Sequence, residues 1–233
     1  MSSQPNTRTG TTSRHIGIVL FDDVEELDAV GPWEVLSHWT LHYPQDGWTV
    51  SCLSADGTAV RCAKGLSLGA HHSFVDAPLL DILIHPGGKG TRPLLHNAEH
   101  LAWVVEQRSS APLLASVCSG SLVYAAAGLL HNRSATTHWA AVPELTALDP
   151  SIEIDADARY VDDGDVITSA GVSAGIDMAL YLVQRLVSAD RAREVQRYIQ
   201  YDHGPYPLAW RRRPTPSISG CSKAVTPVPD GRC

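Results

Sequence analysis

The chain has 233 residues, 44% of them hydrophobic, and a formal net charge of -7. That length supports one substantial hydrophobic core, and the negative balance argues against a partner recognised through its phosphate backbone, so no nucleic acid is expected. The longest apolar runs, residues 113–117 and 122–130, fall short of the roughly 20 residues a membrane span needs, and the polar stretch 1–14 lacks the apolar core of a secretory signal.

A disordered tail is expected over residues 1–14, one domain over 15–203 and a proline-rich extension over 204–233. Residues 15–21, mostly β-branched and apolar, read as a strand buried on both faces. Gly31-Pro32 is expected to open a helix running to Trp39, since proline suits a first helical turn. Trp48 to Ser54 reads as the second strand, residues 58–70 as a hairpin, and Leu80 to His85 as a buried strand stopped by Pro86-Gly87-Gly88. Glu99 to Ser109 predicts an amphipathic helix with Leu101, Val104 and Val105 on its apolar face. Pro112 to Val117 predicts a strand, Ser119 to Ala127 a helix ended by Gly128, and residues 134–137, 152–160 and 165–168 extended segments. Ala174 to Ser188 and Ala189 to Tyr201 predict helices. This alternation implies an α/β domain with a mainly parallel sheet covered on both faces. Ligands of such folds sit at the C-terminal ends of the strands, which selects residues 22–32, 86–91 and 118–121.

The five cysteines, at 52, 62, 118, 221 and 233, show neither a CxxC pair nor Cys/His ligand spacing. No disulfide framework or metal site is expected, the thiols are expected to be reduced, and the compartment cytoplasmic. Cys52 and Cys62 flank an Asp56-Gly57 turn, which leaves an incidental disulfide open.

Cys118 directly follows a buried run and precedes Ser119-Gly120-Ser121 and a helix. A sulfur at that turn faces a helix N-terminus, where free amides and the dipole lower a thiol's pKa and favour a nucleophilic thiolate. An inert, packed cysteine is the alternative. Asp28 follows the first strand, and its carboxyl is either an acid/base aimed at the same crevice or an N-cap of the next helix. Gly87 and Gly88 let backbone amides approach a ligand closely, and with the Ser119 amide they suit an oxyanion-hole type of site. Thr137 and His138 form a further polar cluster, expected to border the substrate, with His138 either a base for Cys118 or a packed residue. Residues 171–177 read as a loop that closes the crevice or packs beneath it.

Taken in order, Leu27-Asp28-Ala29-Val30-Gly31-Pro32, Pro86-Gly87-Gly88, Ser116-Val117-Cys118-Ser119-Gly120-Ser121, Ala135-Thr136-Thr137-His138-Trp139 and Ala170-Gly171-Val172-Ser173-Ala174-Gly175-Ile176-Asp177 resemble the DJ-1/PfpI superfamily, and within it the isonitrile hydratase branch. The resemblance spans residues 15–201. It implies a flavodoxin-like three-layer sandwich, a homodimer, and a cysteine on a nucleophile elbow. It also implies hydration of a small-molecule isonitrile to an N-substituted formamide without a metal or organic cofactor. Carried onto this chain, Cys118 would be the nucleophile and Asp28 the proton donor and later the base. The amides of Gly88 and Ser119 would then polarise the intermediate. Two departures stand out: Ser119 replaces the threonine common in that branch, and His85 occupies a strand end that is apolar in relatives, where it either tunes the crevice or sits at the surface. The lack of histidine directly after Cys118 argues against a peptidase. A ligand-sensing domain, as in AraC-type regulators, and a glyoxalase-like enzyme acting on 2-oxoaldehydes are the competing readings.

Overall fold

The computed structural model describes residues 13–202. The first half of the fold comprises β1 (Arg14–Val19), α1 (Glu26–His42), β2 (Trp48–Ser54), the short antiparallel pair β3 (Val60–Arg61) and β4 (Ser67–Leu68), β5 (His72–Ser73) and β6 (Ile82–His85). It continues through α2 (Thr91–Leu94), α3 (Ala98–Ser110), β7 (Leu113–Val117) and α4 (Gly120–Ala126). The rest comprises β8 (Ser134–Ala135), α5 (Val142–Leu148), β9 (Glu153–Ile154), β10 (Tyr160–Asp162), β11 (Val166–Ser169), α6 (Ala174–Leu186) and α7 (Ala189–Tyr198).

Seven strands form one sheet in the order β10-β11-β7-β6-β1-β2-β5, parallel throughout except for β10 at its edge. Strands β6 and β7 are buried along their whole length, as a strand covered on both faces requires. The crossover from β1 to β2 steps one way along the sheet and that from β6 to β7 steps the other, so right-handed connections put α1 and α3 on opposite faces. Helices α1, α6 and α7 pack together on one side, and α2, α3, α4 and α5 on the other. The sense in which the chain steps across the sheet therefore reverses between β1 and β6, the place where α/β sheets open a crevice.

The expected α/β architecture is present, and β2 spans the expected residues. Three local expectations are corrected. Helix α1 begins at Glu26, with Gly31-Pro32 inside it, so Pro32 withholds an amide from the Asp28 carbonyl one turn earlier. Packing against α6 holds this segment helical: a Cβ at Gly31 would lie 3.0 Å from Ile176, and one at Gly175 3.3 Å from Pro32. On α3, Val105 is exposed, and the buried positions are His100 and Val104. Cys52 and Cys62 are free thiols, as expected, and buried, Cys52 in the core strand β2 and Cys62 just after β3. Arg14, expected in a tail, opens β1. Residues 1–12 of that tail, and the extension 204–233 with Cys221 and Cys233, lie outside the described residues.

Candidate active site

Cys118 occupies the single turn residue between β7 and Ser119, the N-cap of α4, and its φ is 57°. A non-glycine residue in the left-handed region is strained and persists only where its surroundings hold it. Here both of its peptide groups are tied. The Cys118 amide donates to Ser169 O and Ala170 O, each at 3.1 Å, and its carbonyl accepts from Thr137 Oγ1 at 2.9 Å and Ser121 Oγ at 3.3 Å. The strand end β11 and the segment after β8 thus fix the elbow and aim its sulfur into the crevice. Thr137, expected at the substrate, acts here as a brace on the elbow.

Asp28 lies in the first turn of α1 and is fully buried. It does not cap the helix, because the N-cap is Glu25, which makes no side-chain cap. Its Oδ2 accepts from the Gly87 amide at 3.0 Å, and its carboxyl lies beside the Cys118 thiol. The Val172 amide faces both groups. Gly87 is required at this approach, since a Cβ would fall 2.5 Å from Ser119 N and 2.8 Å from Asp28 Oδ2.

Desolvation raises the Asp28 carboxyl to about 7, against the opposing hydrogen bonds from Cys118 and the Gly87 and Val172 amides. Burial and then the Asp28 charge push the Cys118 thiol up to about 12, outweighing the Ser119 and Val172 amides that favour the thiolate. The expectation of a resting thiolate is therefore corrected: the helix-terminus amides are present, but the crevice is dry and the nearest neighbour is an acid. Cys118 is a thiol beside a carboxyl that is close to half ionised at neutral pH.

Ser119 Oγ accepts from the Gly88 amide at 3.0 Å and donates to Gly88 O at 3.2 Å, stapling the loop after β6 to the elbow. The Gly88 amide is consequently already engaged, and the amides that face the Cys118 sulfur are those of Ser119 and Val172. His138 caps the turn that follows it, with Nδ1 accepting from Ala140 N at 3.2 Å, and its ring lies against Gly171. The structure thus brings together Asp28, Gly87, Cys118 and Ser119, with Thr137 and Gly88 one layer behind.

A model of the DJ-1/PfpI family matches residues 14–185. The chain belongs to the DJ-1/PfpI family. It is 40% identical to an isonitrile hydratase of Pseudomonas putida over 190 residues, 82% of this chain and 79% of that protein. A crystal structure of a ThiJ/PfpI family protein from Pseudomonas syringae is similar with a TM-score of 0.73 and 30% identity, covering 84% of this chain and 79% of that one. An HTH-type transcriptional regulator of Pseudomonas aeruginosa is 27% identical over 73% of this chain, but that match covers 46% of the regulator.

Two features of this DJ-1/PfpI protein escape sequence reasoning. Val172 has φ 52°, a genuine outlier for a β-branched residue, and this conformation belongs to the loop whose amide faces Cys118 and Asp28. The flanking Gly171 and Ser173 mark a turn, yet nothing local tells where that amide points. The second feature is His85, fully buried rather than at the surface.

Proposed function

We propose that this protein hydrates an isonitrile to the corresponding N-substituted formamide at the Cys118–Asp28 pair, as a homodimer that needs no metal or organic cofactor and works in the cytoplasm. The observation that carries this reading is the juxtaposition of a strained, protonated thiol and a buried carboxyl raised to about 7. The 40% identity to an isonitrile hydratase supports the choice of substrate.

The terminal carbon of an isonitrile accepts a proton and a nucleophile on the same atom. In the first step the ionised Asp28 takes the S–H proton and passes it to that carbon while the sulfur bonds to it, giving a thioimidate, Cys118–S–CH=N–R. Asp28 ends this step as a carboxylate. In the second, Asp28 takes a proton from water as the oxygen adds to the carbon and delivers it to nitrogen. The hydroxyl proton of this adduct then moves through Asp28 to sulfur as the C–S bond breaks, releasing R–NH–CHO and restoring the thiol. The Ser119 and Val172 amides stand where charge on the adduct would be stabilised, a contribution of about 3 kcal/mol per well-placed donor.

The assay follows formamide production from a small alkyl or aryl isonitrile. Cys118→Ala is expected to abolish turnover with the fold intact, and full turnover in that variant would remove the covalent step. The likeness to a transcriptional regulator over 73% of this chain favours a second reading, a ligand-sensing domain. Saturable isonitrile binding without any formamide from the wild-type protein would favour that one.

A further inference from the structure

His85 ends β6, a strand whose other three residues are aliphatic, and it has no exposed surface. The rings of Phe21, His100 and Tyr124 enclose it at centroid distances of 5.3, 5.2 and 5.9 Å. Burying a polar ring is costly unless its nitrogens find partners, and both do. Nδ1 lies 2.8 Å from Pro86 O, and Nε2 lies 3.0 Å from Nε2 of His100 on α3. A carbonyl only accepts, so Nδ1 carries the proton; in a neutral ring Nε2 is then the acceptor, and His100 Nε2–H donates to it. Burial, reinforced by the neighbouring imidazole, pulls His85 down to about 3, and burial pulls His100 down to about 4, so both rings are neutral across the physiological range.

Pro86 O and Gly87 N belong to one peptide group. Its carbonyl accepts from His85, and its N–H donates to Asp28 Oδ2 at 3.0 Å. A hydrogen bond onto an amide oxygen polarises the group and strengthens the donor at its other end. Four groups are therefore joined head to tail: His100 to His85, His85 to the Pro86–Gly87 peptide, and that peptide to Asp28. The outer member, His100, also forms part of the wall of a cavity of about 770 Å3, beside Phe21, Phe74 and Trp103. A side-chain change there meets open space on one side, which makes His100 the gentler place to break the relay.

We propose that His85 and His100 are positioning residues for Asp28: together they fix and polarise the Pro86–Gly87 peptide so that its N–H stabilises the Asp28 carboxylate. The proposal builds on the reading of Asp28 as the acid/base, but it concerns the carboxyl itself and is measurable without substrate. His100 is needed because its donation holds His85 in the Nδ1–H tautomer; without it the ring is free to place its proton on Nε2 and leave Pro86 O unpaired.

The test is a carbon-13 NMR titration of the Asp28 side chain in the full chain and in four variants, His85→Leu, His85→Asn, His100→Leu and His100→Gln. Cys118 and Glu25, the titratable side chains that act on Asp28, are unchanged in all of them. Both leucine variants are expected to raise the Asp28 midpoint by about half a pH unit or more, because the carboxylate loses part of its stabilisation. Asparagine at 85 restores a donor where Nδ1 stood, glutamine at 100 restores one where Nε2 stood, and each is expected to keep the wild-type midpoint. Nitrogen-15 shifts of His85 are expected to report the Nδ1–H tautomer in the wild type and its loss in His100→Leu. An unchanged midpoint in a natively folded His100→Leu variant overturns the proposal even if His85→Leu fails to fold. Equal shifts in the leucine and amide-bearing variants also overturn it, since packing alone would then explain them. A wild-type protein that turns over no isonitrile yet shows the expected shifts loses the hydratase reading and keeps the relay. Active enzyme with unmoved midpoints does the reverse.

Discussion

Asp28 sets chemistry against stability. Its folded pKa of about 7 lies well above the ordinary 3.8, so the folded state holds this proton more tightly than the unfolded chain does. The stability Asp28 contributes in its protonated form is complete below the unfolded value and is lost as pH rises through about 7. At one pKa unit to about 1.4 kcal/mol, the ionised carboxyl costs on the order of 4 kcal/mol at pH 8, shared with its coupling to Cys118. Asp28→Asn is therefore expected to melt higher than wild type at pH 8 but not at pH 4, by calorimetry at the two pH values, while losing formamide production. Activity needs the ionised carboxyl to collect the thiol proton, so kcat/KM is expected to fall about tenfold per pH unit below about 7. A rate that stays flat from pH 8 to pH 5 would exclude Asp28 as the base. The candidacy of Cys118 and Asp28 was legible because each stands where a buried strand hands over to a helix. Their protonation states were not, because burial and the opposing amides of Gly87 and Val172 set them, and the fold brings those groups in from elsewhere in the chain.

Among the elements, the turn from β7 into α4 is tightly constrained. A Cβ on Gly120 would sit 2.0 Å from His85 O and 2.8 Å from Pro86 O, both backbone atoms of the neighbouring strand end. Neither oxygen can rotate away, so Gly120→Ala is expected to cost about 2–3 kcal/mol, read as a lower urea midpoint with an unchanged m-value. The same closeness lets Ser119 staple the loop after β6 to the elbow. Strands were the easiest elements to read, since continuous burial leaves an apolar run that turn residues end sharply, as Leu113–Val117 shows. The start of α1 was harder. Proline at position 32 argues locally for a first turn, yet contact with α6 makes helix the better state for the seven residues from Glu26 through Pro32.

At the scale of the molecule, the last described helix is tied back to the first. Asp46, just after α1, accepts from Trp39 Nε1 at 2.8 Å and pairs with Arg191 of α7 at 2.8 Å, and the Arg191 guanidinium lies 3.6 Å from the Tyr43 ring centroid. Burial alone would raise the Asp46 carboxyl, but the hydrogen bonds from Arg191 and Trp39 outweigh it and hold the group below its ordinary 3.8. Its contribution is present above the unfolded value and is lost as pH falls through the folded one. Asp46→Ala is expected to cost about 2 kcal/mol in urea at pH 7, and the gap from wild type is expected to narrow in acid; a gap that persists at pH 2 would point to packing instead. The sequence by itself determined the α/β class, the central strands of the sheet, and the elbow cysteine with its carboxylate candidate. These follow from local facts: burial on both faces, period, and the turn chemistry of glycine and proline. Only the tertiary structure decided that Cys118 rests as a thiol, that the Gly88 amide is engaged by Ser119 while Val172 faces the sulfur, and that His85 reaches Asp28 through one peptide group. Each of these is an electrostatic outcome set by which groups, as far apart in the chain as Asp28 and Gly87, share one dry crevice, and no local pattern encodes that meeting.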